Sequence, residues 1–90
     1  MIAGTTAKGF KYEIPEKRLH NMRLVEVLAR VDTEPTLIPR LLDLLLGKDQ
    51  KEAMYDFFED EDGIVLESDI TEAVAEIFDK AAAEDPDVKN

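Results

Sequence analysis

The sequence has no cysteine, one histidine and one serine. Without cysteine, the chain forms no disulfide, offers no thiolate nucleophile and binds no zinc through sulfur. A catalytic triad would need both His20 and Ser68, and each is better explained as a helix-end or capping residue. No glycine-rich phosphate loop occurs, so nucleotide binding has no support. We therefore predict a non-enzymatic protein with no catalytic residue, no cofactor and no metal site.

Long apolar runs are also absent. No run approaches the ~18 residues that a membrane-spanning helix needs. The first ten residues lack the basic region and the apolar stretch of a signal peptide. The sequence therefore predicts a soluble intracellular protein with no membrane partner.

Charge is abundant and unevenly distributed. The net charge of −10 argues against a nucleic-acid partner, because binding phosphates requires a surplus of lysine and arginine. Residues 1–48 carry eight basic and six acidic side chains, whereas residues 49–90 carry three basic and fifteen acidic ones. These halves can pair within one subunit or head-to-tail between subunits. A head-to-tail contact joins two different surfaces and therefore propagates into a homo-oligomer.

Periodicity and turn signals predict a mainly α fold: a small four-helix domain at 9–83, between a flexible N-terminus at 1–8 and a frayed tail at 84–90. Apolar residues alternate at 10–14, which predicts a short strand, and the extended run at 64–66 is a candidate partner for it. The predicted helices are a short turn at 16–20 and four longer helices, capped by Asn21, by Thr36, by Asp49 with Glu52, and by Ser68 or Asp69.

The helix predicted at 36–46 has the widest apolar face of the chain. Its apolar side chains cover an arc of roughly 200°, about twice what a surface helix needs. They are Leu37, Ile38, Leu41, Leu42, Leu44, Leu45 and Leu46. Two interpretations remain open. The helix is the central one and the others wrap around it, or part of its face, including Leu42 and Leu46, contacts a partner.

Residues 58–69 lie between two helices and have the glycine and aliphatic positions of a calcium loop, at Gly63 and Val65. Phe58, however, stands at the first liganding position and has no oxygen to donate. Asp69, at the last position, is shorter than the bidentate glutamate that calcium loops use. The segment is therefore predicted to be an acidic turn with no bound metal.

Candidate partner-binding residues come from a basic stripe, an acidic stripe, the wide apolar helix and one aromatic side chain. Two arginines seven residues apart form a basic stripe on the first long helix. Four carboxylates form an acidic stripe on the last helix. This acidic stripe either binds a partner or is simply the solvent-exposed side of that helix. Tyr55 points away from Phe58 and is a candidate anchor for a partner. The candidates are Arg23, Arg30, Leu42, Leu46, Tyr55, Asp69, Glu72, Glu76 and Asp79.

The third long helix and its flanks resemble a known family. The resemblance is carried by residues 10–14, 21–28, 44–51, 55–56, 61–65 and 75–78. These segments look like the small tail assembly chaperones of long-tailed (siphovirus-type) phages and prophages of Gram-positive bacteria. The likeness covers roughly residues 9–80 and consists of structural positions and turns, with no catalytic signature.

The resemblance implies a helical protein of the host bacterial cytoplasm that oligomerises and binds the tape measure protein. It would keep that protein soluble until tail tube proteins polymerise around it, and it would be absent from the mature virion. One alternative is another phage morphogenesis protein, a head–tail completion protein, which would remain in the virion. A second is an acidic DNA mimic, although the acidic stripe is only about three turns long.

Overall fold

A computed structural model describes residues 1–84. The chain is mainly helical, with one two-stranded antiparallel sheet in the described part, which confirms the predicted fold class in outline. The predicted frayed tail lies outside the described residues, apart from Glu84, which is helical. The elements in chain order are β1 (Ile2–Thr5), β2 (Lys11–Ile14), α1 (Glu16–Leu19), α2 (Met22–Arg30), a 3-10 turn (Pro35–Leu37), α3 (Ile38–Leu46), α4 (Lys48–Phe58) and α5 (Glu67–Glu84).

The N-terminus, for which the sequence predicted a flexible segment at 1–8, forms the first strand of a β-hairpin. Strands β1 and β2 run antiparallel, with Ile2 opposite Ile14. The predicted strand is confirmed as β2, but its partner is β1, and residues 64–66 form no strand. Ile2 and Ile14 are both buried in the core. Because Ile2 is the only large apolar residue of β1, the sequence pattern that marks a strand is too short to detect there.

The outer edge of β2 is covered by a side chain. The Glu13 N–H donates to Gln50 Oε1 at 2.8 Å, and Gln50 Nε2 donates to the Glu13 carbonyl at 2.6 Å. The same amide nitrogen lies 2.9 Å from the Leu46 carbonyl. An exposed strand edge is a template for pairing with another chain. The Gln50 amide therefore takes the place of a neighbouring strand at Glu13 and joins β2 to the α3–α4 junction.

One of the four predicted helix caps is confirmed. The Asn21 side chain accepts from the Arg23 N–H at 3.0 Å at the start of α2. Thr36, instead of capping α3, lies in the 3-10 turn that precedes it. Asp49 lies inside the first turn of α4, and residues 68–69 lie inside the first turn of α5. Aspartate is also favoured within a first turn, because the helix dipole attracts negative charge, so composition alone misplaces such boundaries by a residue or two.

Helix α3 is the centre of the fold. It contacts α1, α2, α4 and β2. Its apolar side chains are either buried (Leu41, Leu42, Leu45, Leu46) or half-buried (Ile38, Leu44), and Leu37, in the preceding 3-10 turn, is also half-buried. The interpretation of a central helix is therefore confirmed. The rest of the buried apolar core consists of Ile2, Phe10, Tyr12, Ile14, Leu19, Leu24, Met54, Ile70, Ala73, Ile77 and Ala81. No helix within residues 1–84 combines the length and the hydropathy needed to cross a membrane.

Candidate interaction surfaces

The acidic stripe of α5 holds the loop between the two strands. Lys8 Nζ lies 2.6 Å from Asp69 Oδ1 and 3.7 Å from Glu72 Oε2. The hydrogen bond to Asp69, with its negative charge, raises the pKa of Lys8. The Ala7 N–H donates to Glu76 Oε1 at 2.8 Å. Pairing of the basic and acidic halves within one subunit therefore occurs at Lys8, and Asp69 and Glu76 are engaged inside their own chain.

The predicted basic stripe remains on the surface and does not meet α5. Arg23 and Arg30 are both exposed. Arg30 bonds to Glu34, four residues later, with its Nη2 atom 2.9 and 3.1 Å from the two carboxylate oxygens. Within residues 1–84 the Arg23 side chain forms no ion pair. The structure therefore does not bring the two predicted stripes together in one subunit.

Two of the predicted partner-binding residues belong to the core. Leu42 is 0% exposed and Leu46 is 1% exposed. The sequence prediction that they contact a partner is therefore corrected, because neither side chain can contact another protein while the subunit keeps this fold. The physical reason is the position of α3, which is covered on several sides by its neighbours.

Tyr55 is half-buried and borders an open groove of about 610 Å³. The groove lies between the start of α3 and the start of α5, with α4 supplying Tyr55. Its lining is mostly apolar and contains one acidic residue, Glu67. We call this surface the Tyr55 groove, which is lined by Pro35, Thr36, Ile38, Pro39, Tyr55, Val65, Glu67 and Ile70.

The segment beside the Tyr55 groove exposes two large apolar side chains. Ile64 is 50% exposed and Leu66 is 52% exposed, on either side of Val65, which lines the groove. Sequence reasoning missed this surface because it assigned residues 64–66 to a strand. The available signal was a short apolar run with no alternation, placed next to an acidic turn.

The acidic turn before this segment is fixed by its own backbone. The Asp60 carboxylate oxygen Oδ1 accepts from the Asp62 N–H at 2.9 Å and from the Ile64 N–H at 3.0 Å. Gly63, with a φ of +78°, completes the predicted turn. Among residues 1–84, no group of three or more His, Cys, Asp or Glu side chains is arranged to hold a metal ion. The carboxylates at 59–62 therefore form an exposed acidic rim near Ile64.

The aromatic cluster is only partly a core feature. The Phe57 ring lies 5.0 Å from Phe58, edge to face, and 5.7 Å from Phe10, measured between centroids. Phe10 is buried and Phe58 is half-buried, but Phe57 is 47% exposed. Phe57 therefore packs against Phe10 and Phe58 while about half of its side chain remains exposed.

Comparison with known proteins gives no assignment. No protein-family model matches the chain, and neither a curated protein nor a solved structure matches it.

Proposed function

We propose that the chain is a non-enzymatic tail assembly chaperone, which oligomerises and binds the tape measure protein of a long-tailed phage or prophage. It keeps that protein soluble until tail tube proteins polymerise around it. The proposal draws its biology from the family resemblance. The observation that carries it is the Tyr55 groove, an open apolar surface with Ile64 and Leu66 exposed beside it.

The groove fits an apolar helical segment of a client. A helix that docks in a groove presents apolar side chains at i, i+3, i+4 and i+7, and they fill an apolar lining of this kind. Tyr55 combines a large apolar ring with a polar hydroxyl, which is the character of residues that anchor interfaces. Glu67 and the acidic rim at 59–62 favour a client segment with basic residues beside its apolar ones.

The charge of the chain suits a coat that must remain in solution. A net charge of −10 on 90 residues makes coated clients repel one another, which opposes aggregation. The Tyr55 groove is open, so the client can also be released from it without unfolding of the subunit. Action in the host bacterial cytoplasm and absence from the mature virion are part of the proposal because the family resemblance implies them. Mass spectrometry of purified virions separates this proposal from a head–tail completion protein, which would be present.

Co-expression tests the proposal. Tape measure fragments from the same phage genome should be more soluble with the chain than without it. Leu66→Asp and Tyr55→Ala should remove most of this gain, because the first places a charge beside the groove and the second removes its aromatic wall. Ala53→Asp, an exposed position on α4, adds the same charge as Leu66→Asp and should keep the gain. Fragments that are equally insoluble with and without the wild-type chain would contradict the proposal.

A further inference from the structure

Helix α2 has an exposed apolar face with two arginines along one of its sides. Met22 is 65% exposed and Val25 is 43% exposed, although the opposite side of α2 is anchored in the core by Leu24. The apolar positions 22, 25 and 29 follow one another along a single face. We define the α2 ridge by its exposed residues Met22, Arg23, Val25, Glu26, Ala29 and Arg30. Glu26 lies between the two arginines, so the ridge carries two positive charges and one negative charge.

Helix α5 has an outer face of the opposite charge. Its inner side is buried through Ile70, Ala73, Ile77 and Ala81. The residues on the other side are exposed, and small side chains alternate there with carboxylates. We define the α5 outer face as Ser68, Glu72, Ala75, Asp79 and Ala83.

The charged groups of the two surfaces have the same spacing. Arg23 and Arg30 are seven residues apart, and so are Glu72 and Asp79. Seven residues make about two helical turns, or about 10.5 Å along an α-helix. Two helices lying side by side can therefore form both Arg–carboxylate pairs at once. Serine and alanine at 68, 75 and 83 leave room for the larger side chains of Met22 and Val25.

We infer that the α2 ridge of one copy of this chain binds the α5 outer face of a second copy. Charge complementarity identifies a second copy as the partner of the α2 ridge. Neither arginine reaches an α5 carboxylate in its own subunit, so the carboxylates that they pair with belong to another copy. Asp69 and Glu76 are already engaged by the β1–β2 loop, which leaves Glu72 and Asp79 as the acceptors. Glu72 has only a 3.7 Å contact with Lys8, and its side chain is 65% exposed.

The contact joins two different surfaces, so each copy offers both and the assembly continues as a chain or a ring. The inference rests on the proposed function for the expectation that copies associate. It shares no residue with the Tyr55 groove. Self-association and client binding are therefore separable by mutation.

Sedimentation velocity over a range of protein concentrations tests the interface. The wild type should form larger species as concentration rises, and these should dissociate between about 50 mM and about 500 mM NaCl, because salt screens exposed ion pairs. R23E/R30E and E72K/D79K should each weaken association about tenfold or more, since like charges then face each other. An equimolar mixture of the two variants should restore assembly, because each reversed surface then meets its complement.

Two control variants carry the same changes of charge elsewhere on the surface. K11E/K17E matches the arginine reversal, and E61K/D62K matches the carboxylate reversal. All four positions are exposed. Both controls should assemble as the wild type does. Circular dichroism and urea unfolding of every variant establish that the subunits are folded.

Three results would overturn the inference. They are a wild type that stays monomeric at low salt, a reversed variant that still assembles, and a mixture of folded reversed variants that remains monomeric. Tyr55→Ala should leave self-association unchanged. A wild type that assembles but leaves tape measure fragments insoluble would contradict the proposed function and leave this interface standing.

Discussion

Helix α3 and the segment at 64–66 use their apolar residues in opposite ways. Helix α3 is the richest apolar element of the chain, and four of its leucines are almost completely buried. The segment at 64–66 has three apolar residues, and two of them are about half exposed. The comparison teaches that the apolar content of a segment does not determine how much of it is open to a partner.

Position in the fold accounts for the difference. Helix α3 contacts two helices, the short α1 and a strand, and these neighbours bury four of its leucines. The segment at 64–66 connects an acidic turn to α5 and covers the core on one side only, through Val65. On its other side Ile64 and Leu66 are about half exposed. The exposed apolar surface therefore lies beside the Tyr55 groove rather than on α3.

The largest expected effect comes from one substitution made in both regions. Leu42→Ala should lower the free energy of unfolding by about 2–5 kcal/mol, because it removes buried methyl groups and leaves a cavity. Leu66→Ala should change it by about 0.5 kcal/mol or less, since the side chain is 52% exposed. Urea unfolding measures both. Equal losses at the two positions would show that the segment at 64–66 is packed as tightly as α3.

At the edge of β2 we expect a loss of stability between those at Leu42 and Leu66, because a single side chain covers this edge. Gln50→Ala should lower the free energy of unfolding by about 1–2 kcal/mol, since it removes three hydrogen bonds and uncovers the Glu13 peptide groups. Glu52→Ala, an exposed position on the same helix, is the control and should cost about 0.5 kcal/mol or less. A Gln50 variant as stable as the control would mean that solvent replaces the amide without loss.

The stability that the hairpin contributes should depend on alkaline pH, because Tyr12 and Lys8 titrate there. The buried leucines of α3 do not titrate, so their contribution should not change with pH. Burial raises the pKa of Tyr12 above its ordinary 10.0, with smaller contributions from Glu84 and Glu76. The bond to Asp69 raises the pKa of Lys8 above 10.5. Because both groups hold their protons more tightly in the folded state, their stabilisation is complete below these values and is lost as pH rises through the folded pKa.

Urea unfolding should therefore show a fall in stability that begins near pH 10. Tyr12→Phe removes one titrating group and should make that fall shallower. Tyr55→Phe removes the same hydroxyl from a tyrosine that is only half-buried, and as the matched control it should leave the slope unchanged. A Tyr12 variant with the wild-type slope would mean that the buried hydroxyl does not contribute to the pH dependence.

Local patterns were enough to predict several parts of the fold. The alternation at 10–14, the Asn21 cap and the turn at Gly63 each depend on neighbours in sequence, and each is confirmed. The central position of α3 was one of the two interpretations that the width of its apolar face allowed, and the structure supports it. Strand β1 could not be predicted, because it is defined by its pairing with β2 and carries only one large apolar residue.

The candidate surfaces depended more on tertiary structure. The Tyr55 groove is built from 35–39, 55 and 65–70, and no sequence pattern links these segments. The engagement of Asp69 and Glu76 by the β1–β2 loop joins positions more than 60 residues apart. The burial of Leu42 and Leu46 follows from what surrounds α3. Periodicity indicates which residues share a face, but it does not show what covers that face.

Amide hydrogen exchange, with and without a co-expressed soluble tape measure fragment, tests the central claim that partners bind at the Tyr55 groove and not at the buried leucines of α3. We expect exchange to slow on binding at residues 36–38 and 64–70, which border the groove. Exchange at 41–46 should already be slow in the free chain and should stay unchanged. A fragment that binds without slowing exchange at 64–70, or that changes exchange at 41–46, would contradict this claim.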